Sequence, residues 1–176
     1  PTGSGTRLSA RRPNELLLST HESDWFKFSQ PYKPTITWHF RELLELFKPT
    51  VVHFHHYVHL GIEIIREARN YDPDLVIALT LHEFLAICLY NGQMIKRDSH
   101  KLCFESNSVD CNACYPEHKP SEFFLRKLYI QSSFKLVDQF VSPSEFLLER
   151  YVEWGIPREK IRFMENGLAG MEQEEL

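Results

Sequence analysis

A basic excess is missing from this chain: 24 Asp and Glu stand against 20 Lys and Arg, a net charge of −4 over 176 residues. General polyanion binders draw their affinity from clustered cations, so the balance argues against nucleic acid as a partner. Long apolar runs are missing too. None approaches the ~20 residues that a helix needs to cross a bilayer, which leaves a soluble chain that can at most rest on a membrane surface. The opening Pro1-Thr2-Gly3-Ser4-Gly5 has no charged-then-apolar leader pattern, so the expected compartment is the cytoplasm, with peripheral contact to the inner face of the membrane left open. There is neither an internal repeat nor a low-complexity tract. Cysteine is scarce, with 4 in the chain, too few for a disulfide scaffold at this length.

What is present suffices for a core. At 43% hydrophobic, residues 1–176 are expected to form a single domain. Leu16-Leu17-Leu18 is a possible short strand. Phe40, Leu43, Leu44 and Phe47 recur at helical spacing before Lys48-Pro49. Val51 to His56 is rich in β-branched and aromatic residues and too short for an ordinary helix, so it reads as a buried strand. Gly61, Ile64, Ile65 and Ala68 share a helical face, and Leu75 to Leu81 is a second strand of the near-continuous apolar kind found inside parallel sheets. A short helix is expected from Phe84 to Tyr90. Residues 91–120 are polar, without clear period, and read as an insertion. Ser121 is the expected cap of a helix with Leu125, Leu128, Tyr129 and Ser132 on one side. Val137 to Val141 is the third strand, Ser144 caps a helix with Leu148, Tyr151 and Val152 as its stripe, and Ile161 to Met164 is the last strand. Alternation of strands and helices with long connections implies right-handed βαβ crossovers. The expected class is α/β, with a largely parallel sheet carrying helices on both faces.

Ligands of open parallel sheets gather beyond the carboxyl ends of the strands. Those ends carry His53, His55 and His56, then His82-Glu83, then Ser142-Pro143-Ser144, then Glu165-Asn166-Gly167. His53 and His55 share one face of their strand by parity, and His56 points the other way. An imidazole after the near-continuous apolar run Leu75 to Leu81, with Glu83 beside it, is costly without a partner or ligand, so His82 is the leading functional candidate. The Ser-Pro-Ser element is a helix start whose free amides could also receive an anion.

The cysteines stand at 88, 103, 111 and 114. Cys111-x2-Cys114 has the knuckle spacing that puts two thiolates on one metal, and Cys88 and Cys103 could complete a closed structural zinc site. His100 or His118 could replace one of them. A Cys111–Cys114 disulfide, independent buried thiols and an iron–sulfur cluster are the alternatives. A bound metal would explain how a polar insertion stays ordered without a core.

The segments Phe47-Lys48-Pro49-Thr50-Val51-Val52-His53-Phe54-His55 and Leu79-Thr80-Leu81-His82-Glu83-Phe84 resemble the "kPDvvHfH" and "TlHDf" motifs of family 4 glycosyltransferases of the GT-B fold. Val137 to Phe146 is similar to "vD.fiaPSefl", and Gly155 to Gly167 to "GiP.eKI.vieNGi". The cysteines resemble an insertion found in a subset of these enzymes. The resemblance runs from about residue 36 to 168. It implies one Rossmann-like half of a two-domain enzyme: the N-terminal, acceptor-side half of a retaining glycosyltransferase. Such an enzyme moves a sugar, of hexosyltransferase type, from a nucleotide-sugar donor to a glycan or lipid-linked acceptor in polysaccharide, lipopolysaccharide or glycolipid assembly, without a catalytic metal. It makes His82 the cleft histidine and His53, His55, Glu83, Ser142, Ser144 and Asn166 substrate-side residues. The family's opening strand and glycine-rich loop are not recognisable in residues 1–35, nor is the paired-glutamate donor domain, so the chain alone is expected to be inactive and to need a C-terminal donor domain. Glu83 stands where Asp is usual. A non-catalytic, zinc-stapled α/β binding module and another GT-B enzyme such as a nucleotide-sugar epimerase are the competing readings.

Overall fold

The computed structural model describes residues 7–12, 15–20, 23–30 and 33–167. The chain begins with an antiparallel hairpin, β1 (Arg7–Arg12) and β2 (Glu15–Ser19), which sets Leu8 opposite Leu18 and Ser9 opposite Leu17. The strand expected at Leu16 to Leu18 is therefore real, and it has a partner that the sequence did not reveal. After α1 (Lys33–Phe47) come β3 (Val51–Phe54), α2 (Glu63–Tyr71) and β4 (Val76–Thr80). Then follow α3 (Ser108–Cys114), α4 (Pro120–Phe134), β5 (Gln139–Ser142), α5 (Glu145–Trp154) and β6 (Ile161–Phe163). Among the described residues, no helix is long and apolar enough to cross a membrane.

The second sheet is wholly parallel, in the order β3-β4-β5-β6. Each strand lies beside its successor in sequence, as crossover connections demand. The class is thus α/β, a parallel sheet flanked by helices, consistent with a Rossmann-like GT-B half. Register places Val52 beside Ile77, Phe54 beside Leu79, Leu79 beside Phe140, and Phe140 beside Ile161. These residues share one face and enter the core cluster, Val52 at its margin. Phe134 of α4 meets Phe140 with ring centroids 5.4 Å apart, and Phe40 of α1 lies 6.2 Å from Phe54. Ile36 of α1, Ile65 of α2, Phe134 of α4 and Leu148 of α5 enter the same cluster as this face. On the other, Val51, His53, Val76 and Arg162 are exposed, while Ala78 and Val141 are partly covered.

Three local expectations change. Residues 84–90 form turns rather than a helix. The Leu85 and Ala86 carbonyls accept from the Arg126 guanidinium, and a carbonyl held sideways in this way is taken from the helical ladder. The cap of α4 is Lys119, whose backbone N–H donates to Glu122, and Pro120 takes the first helical position, where its missing N–H costs nothing. The buried stripe of α4 is Phe123, Arg126, Ile130, Ser133 and Phe134, while Leu125 and Leu128 face outward. Helix α5 starts as expected, with Ser144 accepting from the Leu147 N–H at 3.2 Å. It ends at Gly155, whose φ of 124° suits only glycine.

Candidate functional site at the carboxyl rim of the sheet

Strand register decides which rim residues meet. His53 pairs with Ala78 and Phe54 with Leu79, so β3 ends at Phe54 one step short of the end of β4 at Thr80, and His55 and His82 lie just past the two strand ends. His55 Nδ1 lies 3.3 Å from His82 Nε2, with the two rings stacked at 24°. The His53 and His55 rings are 4.2 Å apart, as their shared parity requires. His53 Nε2 lies 2.8 Å from Thr80 Oγ1, a buried hydroxyl on the neighbouring strand. The structure therefore joins His53, His55 and His82 into one row, and all three are exposed to solvent. His82 does not turn into the core.

His56 faces away from that row. Its Nδ1 accepts from the backbone N–H groups of Tyr57 and Val58, at 3.1 and 3.2 Å, which places its proton on Nε2. That nitrogen lies 3.4 Å from Glu83 Oε1. Glu83 is held from behind as well, because the buried Tyr151 hydroxyl donates to its carbonyl at 2.9 Å. His56, Thr80 and Tyr151 were not singled out as site residues. The local signals are the second imidazole of the His55-His56 pair and a Tyr on the buried face of α5. Burial, then the nearby His55 and His82 rings, pushes His53 below the usual imidazole value. Burial also lowers His56, against the opposing pull of Glu83 and with help from His59 and His82. Near neutral pH these two rings are uncharged, and each offers one donor and one acceptor.

The serines part company with the histidines. Ser142 is fully buried, and its hydroxyl donates to the Ser144 carbonyl at 2.8 Å. It braces the start of α5 and reaches no open surface, so its expected contact with a substrate is replaced by a supporting one. Ser144 is exposed, and its hydroxyl caps α5. Asn166 is exposed beyond β6, two strands away from His82, and it does not join the row. Among the described residues no Lys or Arg side chain pairs with the His53, His55 and His82 row.

A second cluster lies in the insertion. Cys88, Cys103, Cys111 and Cys114 all line one small cavity of about 30 Å³, together with Met94, Lys96 and Tyr115. All four are free thiols, so the Cys111–Cys114 disulfide is not formed. Burial pushes Cys88 up and takes Cys111 to about 11, which keeps both thiols protonated at neutral pH. As they stand, no three His, Cys, Asp or Glu side chains among the described residues are placed to hold a metal ion. Arg126 lies behind the cavity. It is 4% exposed and donates to the Phe26, Ala86 and Leu85 carbonyls at 2.6 to 2.7 Å.

Comparison with curated proteins and with solved structures finds no match for the chain. The family model for Glycosyltransferase Family 4 matches residues 7–169, which takes in the hairpin, the whole parallel sheet, the histidine row and the cysteine insertion. A match of this extent, on an α/β domain whose polar side chains collect at the strand ends where ligands of such sheets bind, decides membership: the chain belongs to Glycosyltransferase Family 4.

Proposed function

We propose that this domain supplies the acceptor side of a retaining glycosyltransferase, which transfers a sugar from a nucleotide-sugar donor to a glycan or lipid-linked acceptor. The observation that carries the reading is the exposed row of His53, His55 and His82 at the carboxyl rim. Imidazoles suit sugar hydroxyls, because both groups can donate and accept hydrogen bonds. A donor diphosphate would call for cations or helix amides, and among the described residues no Lys or Arg pairs with this row. The chemistry therefore favours the acceptor, or the transferred sugar itself, over the nucleotide.

In this reading His82 orients the reacting hydroxyl. His55 holds the His82 ring through its Nδ1 contact, and His53 is fixed in turn by Thr80. Glu83 is aimed by His56 on one side and by its Tyr151-bound carbonyl on the other. Such positioning supplies rate by holding reactants in register rather than by new covalent chemistry. No catalytic metal is assigned to the row. The reading places the enzyme in the cytoplasm with its nucleotide sugars, with the inner membrane face as the working surface for a lipid-linked acceptor in polysaccharide, lipopolysaccharide or glycolipid assembly.

The test is His82→Ala and His82→Gln in the full-length protein, assayed with a nucleotide sugar and its acceptor. His82→Ala is expected to lower kcat/KM for the acceptor by roughly 10² to 10⁴-fold with an unchanged circular dichroism spectrum. His82→Gln, which keeps one hydrogen-bonding group, should recover part of that loss. Turnover near the wild-type value in both would reduce His82 to scaffold and remove the reading.

A further inference from the structure

Helix α3 contributes no buried residue, and Met94 is the one core side chain that residues 91–119 supply among the described residues. Polar ties hold this stretch. Arg97 donates to the Cys114 carbonyl, Asn112 to the His118 carbonyl, and Lys96 pairs with Asp110 at 3.2 Å. Exposed ties of this kind stabilise little. Yet four cysteines that are far apart in sequence converge here on one cavity of about 30 Å³. That volume admits a water or a bare ion and excludes an organic ligand.

We propose that Cys88, Cys103, Cys111 and Cys114 bind one tetrahedral zinc ion, and that this ion anchors the loop carrying His82 and Glu83. Cys111 and Cys114 are three apart on α3 and so project from one helical face. Cys88 comes from the loop after β4, and Cys103 follows the bridge that joins Ile95 to Leu102. Four thiolates on one divalent ion are the donor set of closed structural zinc sites.

Charge supplies the second, independent argument. Arg126 is buried and bonded to carbonyls alone, and no carboxylate pairs with it among the described residues. A buried cation without a counter-ion is costly. The acidic side chains near it include the phenols of Tyr57 and Tyr151 and the thiols of Cys111 and Cys88. Lys96 lies within reach of Cys103 and Cys114, with Asp110 taking part of its charge. A zinc ion with four thiolates carries a net charge of −2, and these two cations flank it. Asp110 is itself held by Asn107, whose side-chain amide donates to it at 3.0 Å, so the partner of Lys96 is fixed beside the thiols. Outer contacts of this type orient metal ligands.

Among the described residues no three of these thiols stand together at coordination distance. Cys103 Sγ donates to the Glu105 carbonyl at 3.1 Å. Binding requires that this bond break and the side chain rotate into the cavity. Each thiol gives its proton to solvent as its bond to zinc forms, and no electron moves. Cys88 lies six residues after His82, in a loop already held by Arg126 and Tyr151. Fixing Cys88 fixes the far end of that loop.

The experiment is elemental analysis of the full-length protein, followed by replacement of its metal with cobalt(II). The expected result is about one zinc per chain, together with the strong near-ultraviolet thiolate-to-cobalt band and the intense red bands of a tetrahedral tetrathiolate. Cys114→His should keep the ion with a weaker charge-transfer band, and Cys103→Ala should lose it. Lys96→Met, at a partly exposed position, should weaken binding by about 10-fold. Zinc-free wild-type protein that gives no cobalt spectrum would overturn the proposal. So would iron with broad visible absorption, or a cobalt spectrum without thiolate bands. If the cysteine variants fail to fold, the charge-transfer intensity of the wild-type cobalt form still counts the thiolates. These readouts do not depend on catalysis, so they stand or fall apart from the glycosyltransferase reading.

Discussion

Replacing Arg126 by Met tests whether the buried guanidinium holds the loop behind Glu83. The side chain is 4% exposed and donates to three backbone carbonyls, of Phe26, Ala86 and Leu85. Methionine can fill the volume of the stem but offers no donor. Each buried carbonyl left unpaired costs ~1–3 kcal/mol. Removing the charge returns part of that sum, because a desolvated cation is no longer buried, so the net loss comes to about 3–5 kcal/mol. Against a total stability of ~5–15 kcal/mol, such a loss is large, and it corresponds to a fall in Tm of roughly 10 °C for a chain of this size. Urea unfolding followed by tryptophan fluorescence reads the difference. Amide exchange locates it, with faster exchange expected in residues 84–88 and around Phe26. Arg126→Lys keeps the charge but not the fork of donors, and it should fall between the two. An Arg126→Met protein within ~1 kcal/mol of wild type would show that the three carbonyls find other partners, and the clamp would have no energetic meaning.

Two further outcomes follow from the same geometry. His53 and His56 both have lowered values, so as pH falls the unfolded chain takes up protons before the folded one. Stability should be full above the ordinary imidazole value of about 6.5 and should decline as pH drops through the lowered values. A urea midpoint series from about pH 7.5 to about pH 5 reads this, and His53→Gln with His56→Gln should flatten the curve. Gly92 has φ of 68°, and a Cβ there would sit 2.9 Å from the Leu85 backbone N and 3.0 Å from that of Phe84. Gly92→Ala should therefore cost more than ~1 kcal/mol and loosen the turns that follow His82; an unchanged melting temperature would contradict the packing.

The strands at Val51, Leu75, Val137 and Ile161 were legible because β-branched and aromatic runs of that length have one stable use inside a parallel sheet. Ser144 was legible as a cap because a serine before an apolar stripe has few other uses. Helix α4 was not read correctly. Both of its sides are apolar, and the side that is buried holds Arg126, which amphipathic pattern counts as polar. The turns at 84–90 look helical in composition, and only the distant Arg126 takes their carbonyls. At the rim, parity put His53 beside His55. The His55 contact to His82 depends on the register between β3 and β4, which no local pattern encodes. Ser142 looked like a site residue from its place at a strand end, and burial against the start of α5 makes it a brace instead. The four thiols were countable in the sequence, but their meeting at one cavity required the fold.

The double acceptance at His56 Nδ1 has a mechanical consequence. Because that nitrogen already receives the Tyr57 and Val58 amides, a proton can land there only by evicting both. Acid would unlatch the 56–58 corner as well as add charge to it, while the imidazolium pulled harder on Glu83. Nitrogen chemical shifts of this one ring would record the latch opening.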